Sequence, residues 1–224
     1  GQPVARKYLA SHYLSINLGK RLTFGLFESV VMSREDGFDL AYLNPVILYR
    51  TIEQSIGSPD NVIAGLTGRY RAPFGVEVYG QLVLDEFKFN ELFIERRGWW
   101  ANKFGYQIGA RYADAFGIDQ LDLTVERNYV RPYTYTHRTI SKYTHLAMPL
   151  AHPLGANFKE NLLVIEYRPL PRLHLRGRLY LITQGEGTED QVVGENLNQP
   201  HGLRGMDFGN EIGQGVGYTN TLLS

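Results

Sequence analysis

Apolar and polar residues alternate along most of this chain with a period of two. Leu173, Leu175, Gly177, Leu179 and Leu181 share one parity, and His174, Arg176, Arg178 and Tyr180 share the other. Successive side chains of a strand point to opposite faces, so this segment carries one apolar and one cationic face. Upstream, Leu163, Ile165 and Tyr167 alternate with Val164, Glu166 and Arg168, and Pro169 and Pro171 mark a connection between the two runs. The unit recurs. Val76, Val78, Gly80, Leu82 and Leu84 alternate with Glu77, Tyr79, Gln81, Val83 and Asp85, after a partner run that ends at the turn RAPFG. Phe104 to Tyr112 and Leu121 to Asn128 form a third pair, and Leu14 to Leu26 begins a fourth. Four hairpins are predicted, at about 12–31, 62–87, 103–130 and 160–184.

The connections are asymmetric. Those inside the hairpins are short, whereas 32–61, 88–102, 131–159 and the Gly-rich segment from Gly185 are long. Short turns at one rim and long loops at the other are the pattern of an outer-membrane β-barrel. Strands of ~9–11 residues, rising ~3.3 Å each and tilted ~40°, cross an apolar band ~25 Å tall. Aromatic residues near strand ends, among them Tyr70, Phe74, Trp99, Trp100, Phe104, Phe116 and Tyr129, suit two interfacial girdles. The expected fold is therefore all-β: an antiparallel transmembrane β-barrel of about eight visible strands, with long loops carrying short helices. Alternation alone also fits a soluble barrel or sandwich whose apolar face points inward. Charges kept to one parity, and glycines (Gly68, Gly80, Gly177) on the apolar face, where they would weaken a packed core, favour the membrane arrangement.

Within that arrangement the lumen-facing set is Arg69, Glu77, Asp85, Arg111, Asp122, Glu126, Glu166, Arg176 and Arg178. Both signs are present, which suits either a cross-strand salt-bridge network or a polar channel. Two loop segments carry helix signals. Asn44 and Pro45 suit a helix start before an apolar stripe that ends at Gly57, and 90–98 suits a second, shorter helix with Arg96 and Arg97 at its end. The 131–159 loop is rich in Tyr and His. Its aromatic faces, hydroxyls and imidazoles suit stacking on sugar rings, or equally the folding of the loop onto itself.

Composition narrows the chemistry. The 224 residues carry 23 basic and 23 acidic side chains, for a formal net charge of +0, so no global basic field attracts nucleic acid. There is no cysteine, hence no disulfide, thiol nucleophile or Cys-ligated metal. The spacing of His137, His145 and His152 matches no compact zinc motif, and no cofactor is expected. No G-x-S-x-G elbow, H-E-x-x-H motif or phosphate-binding Gly loop is present, and a non-enzymatic role is expected.

The segments LNPVILYRTIEQSIGSPDN, GVEVYGQLVLDEF, NKFGYQIGARY, LTVERNYVRPYTYTH and HPLGANFKENLLVIEYRP resemble the capsule-assembly (Wzi-like) outer-membrane family, in its Bacteroidetes branch labelled gliding-motility RemB-like. The resemblance covers about 24–185. It implies a β-barrel in the bacterial outer membrane with extracellular loops, whose partners are outer-membrane lipid and surface polysaccharide. It further implies capsule anchoring or organisation, gliding or adhesion, and no catalysis. Carried onto this sequence, Tyr133, Tyr135, His137 and His152 become candidates for glycan contact. A solute pore and a structural subunit meeting other envelope proteins are the rival roles. The family barrel is wider than eight strands, and the chain ends GYTNTLLS without a terminal aromatic residue. The chain is thus expected to be one barrel domain, 1–224, within a longer protein, since an open sheet would leave unpaired edges in lipid.

Overall fold

The computed structural model describes residues 6–33, 60–137, 140–188, 191–199 and 201–223. Nine strands form one sheet in which every neighbouring pair is antiparallel. In chain order they are β1 (Lys7–Leu18), β2 (Leu22–Ser33), β3 (Asn61–Arg71), β4 (Val76–Glu86), β5 (Lys103–Tyr112) and β6 (Leu121–Val130), then β9 (Phe158–Leu170), β10 (Leu173–Gln184) and β11 (Tyr218–Leu223). Two-residue strands β7 (Thr144–His145) and β8 (Met148–Pro149) make a small ribbon in the long loop. The sheet follows sequence order, and no ladder joins β1 to β11 among the described residues.

The four hairpins lie where the period-two pattern puts them. A ninth strand, β11, comes from the segment expected to be loop, because six residues of weak alternation give little signal. The turn after β9 is also tighter than the two prolines imply. Pro169 lies within β9, next to its end, while Pro171 and Arg172 alone separate β9 from β10. The helix expected over 44–57 lies outside the described residues. The second is a single helical turn, Asn90–Glu95, closed by Arg96 in the left-handed region (φ 51°), whose N–H donates to the Glu91 carbonyl. Arg97 pairs with Glu91 and Glu95 at 2.6 Å each.

Register sorts the side chains. One continuous row runs Leu18, Leu22, Tyr70, Val78, Ala110, Val125, Leu163, Leu179 across eight strands. All eight members are apolar or aromatic, and Leu18, Tyr70, Val78 and Val125 are openly exposed. Leu14, Ile16, Phe24, Leu26, Leu66, Ile108, Ile165, Leu175 and Leu181, on the same face, are exposed too. A sandwich would bury this face; here it is uncovered. Near the loop rim the same parity is covered, with Val30, Met32 and Val62 packed against Tyr8 and Ala10.

The other face is polar, and it is covered toward the loop rim. Its core lies at the loop rim, where Ile63, Val83, Val130 and Phe158 from four strands meet Tyr135, Ala156 and Leu197 from the loops, with Phe27 of β2 alongside. The 131–157 loop therefore folds back over the polar face as a cap. It holds β1 through the Lys7 ammonium, which donates to Thr144 Oγ1 at 3.2 Å, and β10 through Gln184, whose amide donates to the Leu154 carbonyl at 2.8 Å. Between them, Asp85 at a bulge in β4 accepts the Tyr135 N–H at 2.8 Å. A loop that bonds both flanks of the sheet while packing on its middle fits a polar face that curves around it as a concave surface.

Candidate functional site

The concave face has three tiers. Nearest the short turns stand the charges. Arg69 and Arg71 flank Glu77 at 4.0 and 3.3 Å, Arg111 meets Asp122 at 2.5 Å, and Arg176 meets Glu166 at 2.8 Å with His174 close by. Arg178 shares this face opposite Val164. These pairs are largely exposed to water, so each contributes little to stability.

The middle tier is a row of amides and carboxylates on four adjacent strands, Gln81, Gln107, Asn128 and Glu160, each directly opposite the next. Asn128 spends both amide protons on carboxylates, donating to Glu126 Oε1 and Glu160 Oε2 at 2.9 Å each. The amides of Gln81 and Gln107 make no hydrogen bond among the described residues. His152 comes down from the cap. Its ring stacks on Phe158 with centroids 4.5 Å apart, its Nδ1 accepts the Leu154 N–H at 3.2 Å, and its Nε2 lies 3.4 Å from Glu160. With Nδ1 accepting, the ring proton belongs on Nε2, aimed at the carboxylate. Between this row and the cap is a cavity of about 150 Å³, lined by Gln81, Gln107, Asn128, Tyr135, Ala151 and His152.

The third tier is the cap. Tyr133 and Tyr135 are only 1% and 3% exposed. Tyr133 donates to the Val192 carbonyl at 2.8 Å and packs edge-on against Trp100 at 6.1 Å. Burial pushes its phenol up to about 12. Both tyrosines adopt left-handed backbone (φ 66° and 71°), a strain held in place by this packing. Their rings are covered by protein, so of the two roles open to them in sequence, holding the loop together accounts for both. Tyr135 still contributes to the cavity wall. His137 is half-buried just beyond the turn. Of the four loop candidates, the structure brings His152 and Tyr135 to one cavity and leaves Tyr133 and His137 outside its lining.

Arg131 ties the cap to its surroundings. The buried guanidinium donates to the carbonyls of Asn102 (2.9 Å) and Asn210 (3.1 Å), joining three loops. Burial lowers its pKa from the ordinary arginine value. Lys103, fully buried, donates to the Thr136 carbonyl at 3.1 Å and lies 3.5 Å from Glu86.

Sequence reasoning missed Gln81, Gln107, Asn128 and Glu160 because neutral amides on separate strands look ordinary until register aligns them. No ion-holding cluster of His and carboxylates occurs among the described residues. Compared with models of known protein families, with curated proteins and with solved structures, the chain finds no match.

Proposed function

We propose that this chain forms wall and cap of an outer-membrane β-barrel that binds surface polysaccharide without catalysing a reaction on it. One observation carries the reading. The row from Leu18 to Leu179 is apolar across eight strands and left uncovered, while the opposite, polar face is concave and capped. Lipid is the solvent that such a face suits. Exposed β1 and β11 edges are incompatible with hydrocarbon, so further strands, from the same protein or a partner, complete the wall.

The saccharide site is the cavity beneath the cap. Side-by-side Gln81 and Gln107 amides offer donors and acceptors to vicinal hydroxyls, and the Glu160 carboxylate beside the cavity holds Asn128 and His152 in place in its wall. The resemblance to capsule-assembly proteins points the same way, to polysaccharide held at the cell surface by extracellular loops. Because the cap occupies the loop rim, the lumen is a binding chamber and not an open pore.

The test has two arms. The full chain, expressed in a bacterial outer membrane, is expected to leave that membrane only with detergent and to give no steady conductance in planar bilayers. The double variant Gln81→Ala, Gln107→Ala is expected to insert normally but to retain less surface polysaccharide. Each lost hydrogen bond is worth about 1 kcal/mol, so a fall of roughly tenfold or more in affinity is expected. Extraction without detergent would remove the membrane assignment; unchanged retention would remove the saccharide site.

A further inference from the structure

The apolar face carries one cation that its surroundings do not explain. Arg127 of β6 is exposed, and its side chain belongs to the outward row in which Ile108, Arg127, Asn161 and Leu181 are directly opposed. It makes no ion pair among the described residues. On a water-facing surface this would be ordinary. On a face exposed to lipid an unpaired guanidinium is costly, least so close to the headgroups.

Its neighbours define where it stands. One step toward the loop rim, Tyr129 lies opposite Lys159, a second outward cation. Tyr129 stacks between Tyr106 (5.0 Å) and Phe104 (6.2 Å), an aromatic cluster of the kind that sits at headgroup level. One step toward the turns begins an apolar groove of about 490 Å³, whose walls include Ile108, Val125, Leu163 and Leu181, with Arg127 and Asn161 at its polar end. Arg127 thus lies at the border between aromatic belt and apolar band, within reach of the belt by extending its side chain.

We propose that Arg127, Lys159 and Asn161 seat the phosphate of one phosphorylated lipid whose acyl chain lies in this groove. The inference rests on the membrane reading above and goes beyond it by assigning a specific lipid site. Charge complementarity selects the occupant: two cations and an amide donor ring the polar end, and no carboxylate of this face adjoins them in register. A second copy of this chain would bring the same cations and repel them, while a zwitterionic lipid would supply its own counter-charge. The phosphate accepts charge-assisted hydrogen bonds from Arg127 and Lys159 and one from the Asn161 amide, and the acyl chain covers the apolar wall.

The experiment uses the whole protein, with the strands that complete its wall, reconstituted into nanodiscs of equal parts phosphatidylglycerol and phosphatidylcholine, re-extracted, and weighed by native mass spectrometry with lipid attached. The expected result is one retained phosphatidylglycerol per chain, favoured over phosphatidylcholine by roughly tenfold. Arg127→Gln with Lys159→Gln should bring the ratio close to one, whereas Arg127→Lys, which keeps the charge, should preserve most of it. Heat-shifted gel migration identifies folded variants. A chain that enters the discs but retains both lipids equally overturns the lipid site and leaves the membrane reading standing. So does a Gln double variant that keeps the preference, or a chain that emerges as a lipid-free dimer. Displacement of the lipid by inorganic phosphate alone would reveal a bare anion site and also overturn the proposal. A chain that never enters the discs overturns both readings.

Discussion

The phenol of Tyr79 on β4 donates a 2.7 Å hydrogen bond to Glu126 Oε2 on β6, reaching across the strand that separates them. It can do so because position 109, between the two in register, is glycine. A Cβ there would come within 2.5 Å of the Tyr79 ring. The same arrangement recurs on the same face, where the Tyr13 hydroxyl meets Thr67 Oγ1 at 3.0 Å over Gly25. Aromatic rings laid over glycines cover bare backbone.

Gly109→Ala is therefore expected to destabilise the protein by ~1–3 kcal/mol, the usual cost of overpacking, as the ring is forced off Glu126. Gly177, on the opposite face, has nothing within 4 Å of its would-be Cβ, and Gly177→Ala should stay within ~0.5 kcal/mol. Urea unfolding of the detergent-folded protein, followed by gel mobility, compares the two. Equal costs would mean that both faces are equally free, contrary to the structure.

Adjacent residues of β10 test the orientation in lipid. Leu179 belongs to the apolar row, and Leu179→Arg is expected to cost ~2–4 kcal/mol near the bilayer midplane. Arg178 belongs to the concave face, and Arg178→Ala should change stability by no more than ~0.5 kcal/mol. Folding titrations into phosphatidylcholine vesicles give both values, and a reversed order would turn the sheet inside out.

Tyr133 is the anchor of the cap. Tyr133→Phe leaves the Val192 carbonyl without its donor and should cost about 1 kcal/mol, whereas Tyr133→Ala empties a packed aromatic site and should cost ~3–5 kcal/mol. Hydrogen exchange resolved along the chain is expected to show the loss as faster exchange in 131–157, with the β4–β5 ladder unchanged.

Alkali should loosen the cap in a defined window. The Tyr133 phenol is neutral when folded and is raised from 10.0 to about 12, so its contribution is complete below pH 10 and disappears as pH climbs through about 12. Tyr135 is raised further by burial beside Asp85 and Tyr143, and acts in the same direction. Tyrosinate absorbance is expected to show a late-titrating component that Tyr133→Phe diminishes.

The sheet was legible in the sequence because period-two alternation is a local property. Leu175 and Arg176 declare opposite faces from their spacing alone, and the hairpin turns follow from residues such as Gly19 and Gly75, both at positive φ. What stayed hidden depends on partners far away along the chain. Tyr79 and Glu126 are unremarkable until register places Gly109 between them, and Gln81, Gln107, Asn128 and Glu160 become a row only when four strands are aligned. Tyr133 and Tyr135 illustrate the same point in a loop. An amphipathic ring suits contact with sugar and contact with protein equally, and only the position of Trp100 and Val192 around Tyr133, and of Phe158 and Tyr143 around Tyr135, decides which one it meets.

The grip of one loop on Lys7 at one flank and Gln184 at the other makes it a brace. Bending the sheet stretches or relieves these two attachments together, so a molecule entering beneath the loop would be felt from β1 across to β10. Under the proposed function, filling of the cavity and curvature of the sheet are, by this construction, a single mechanical variable.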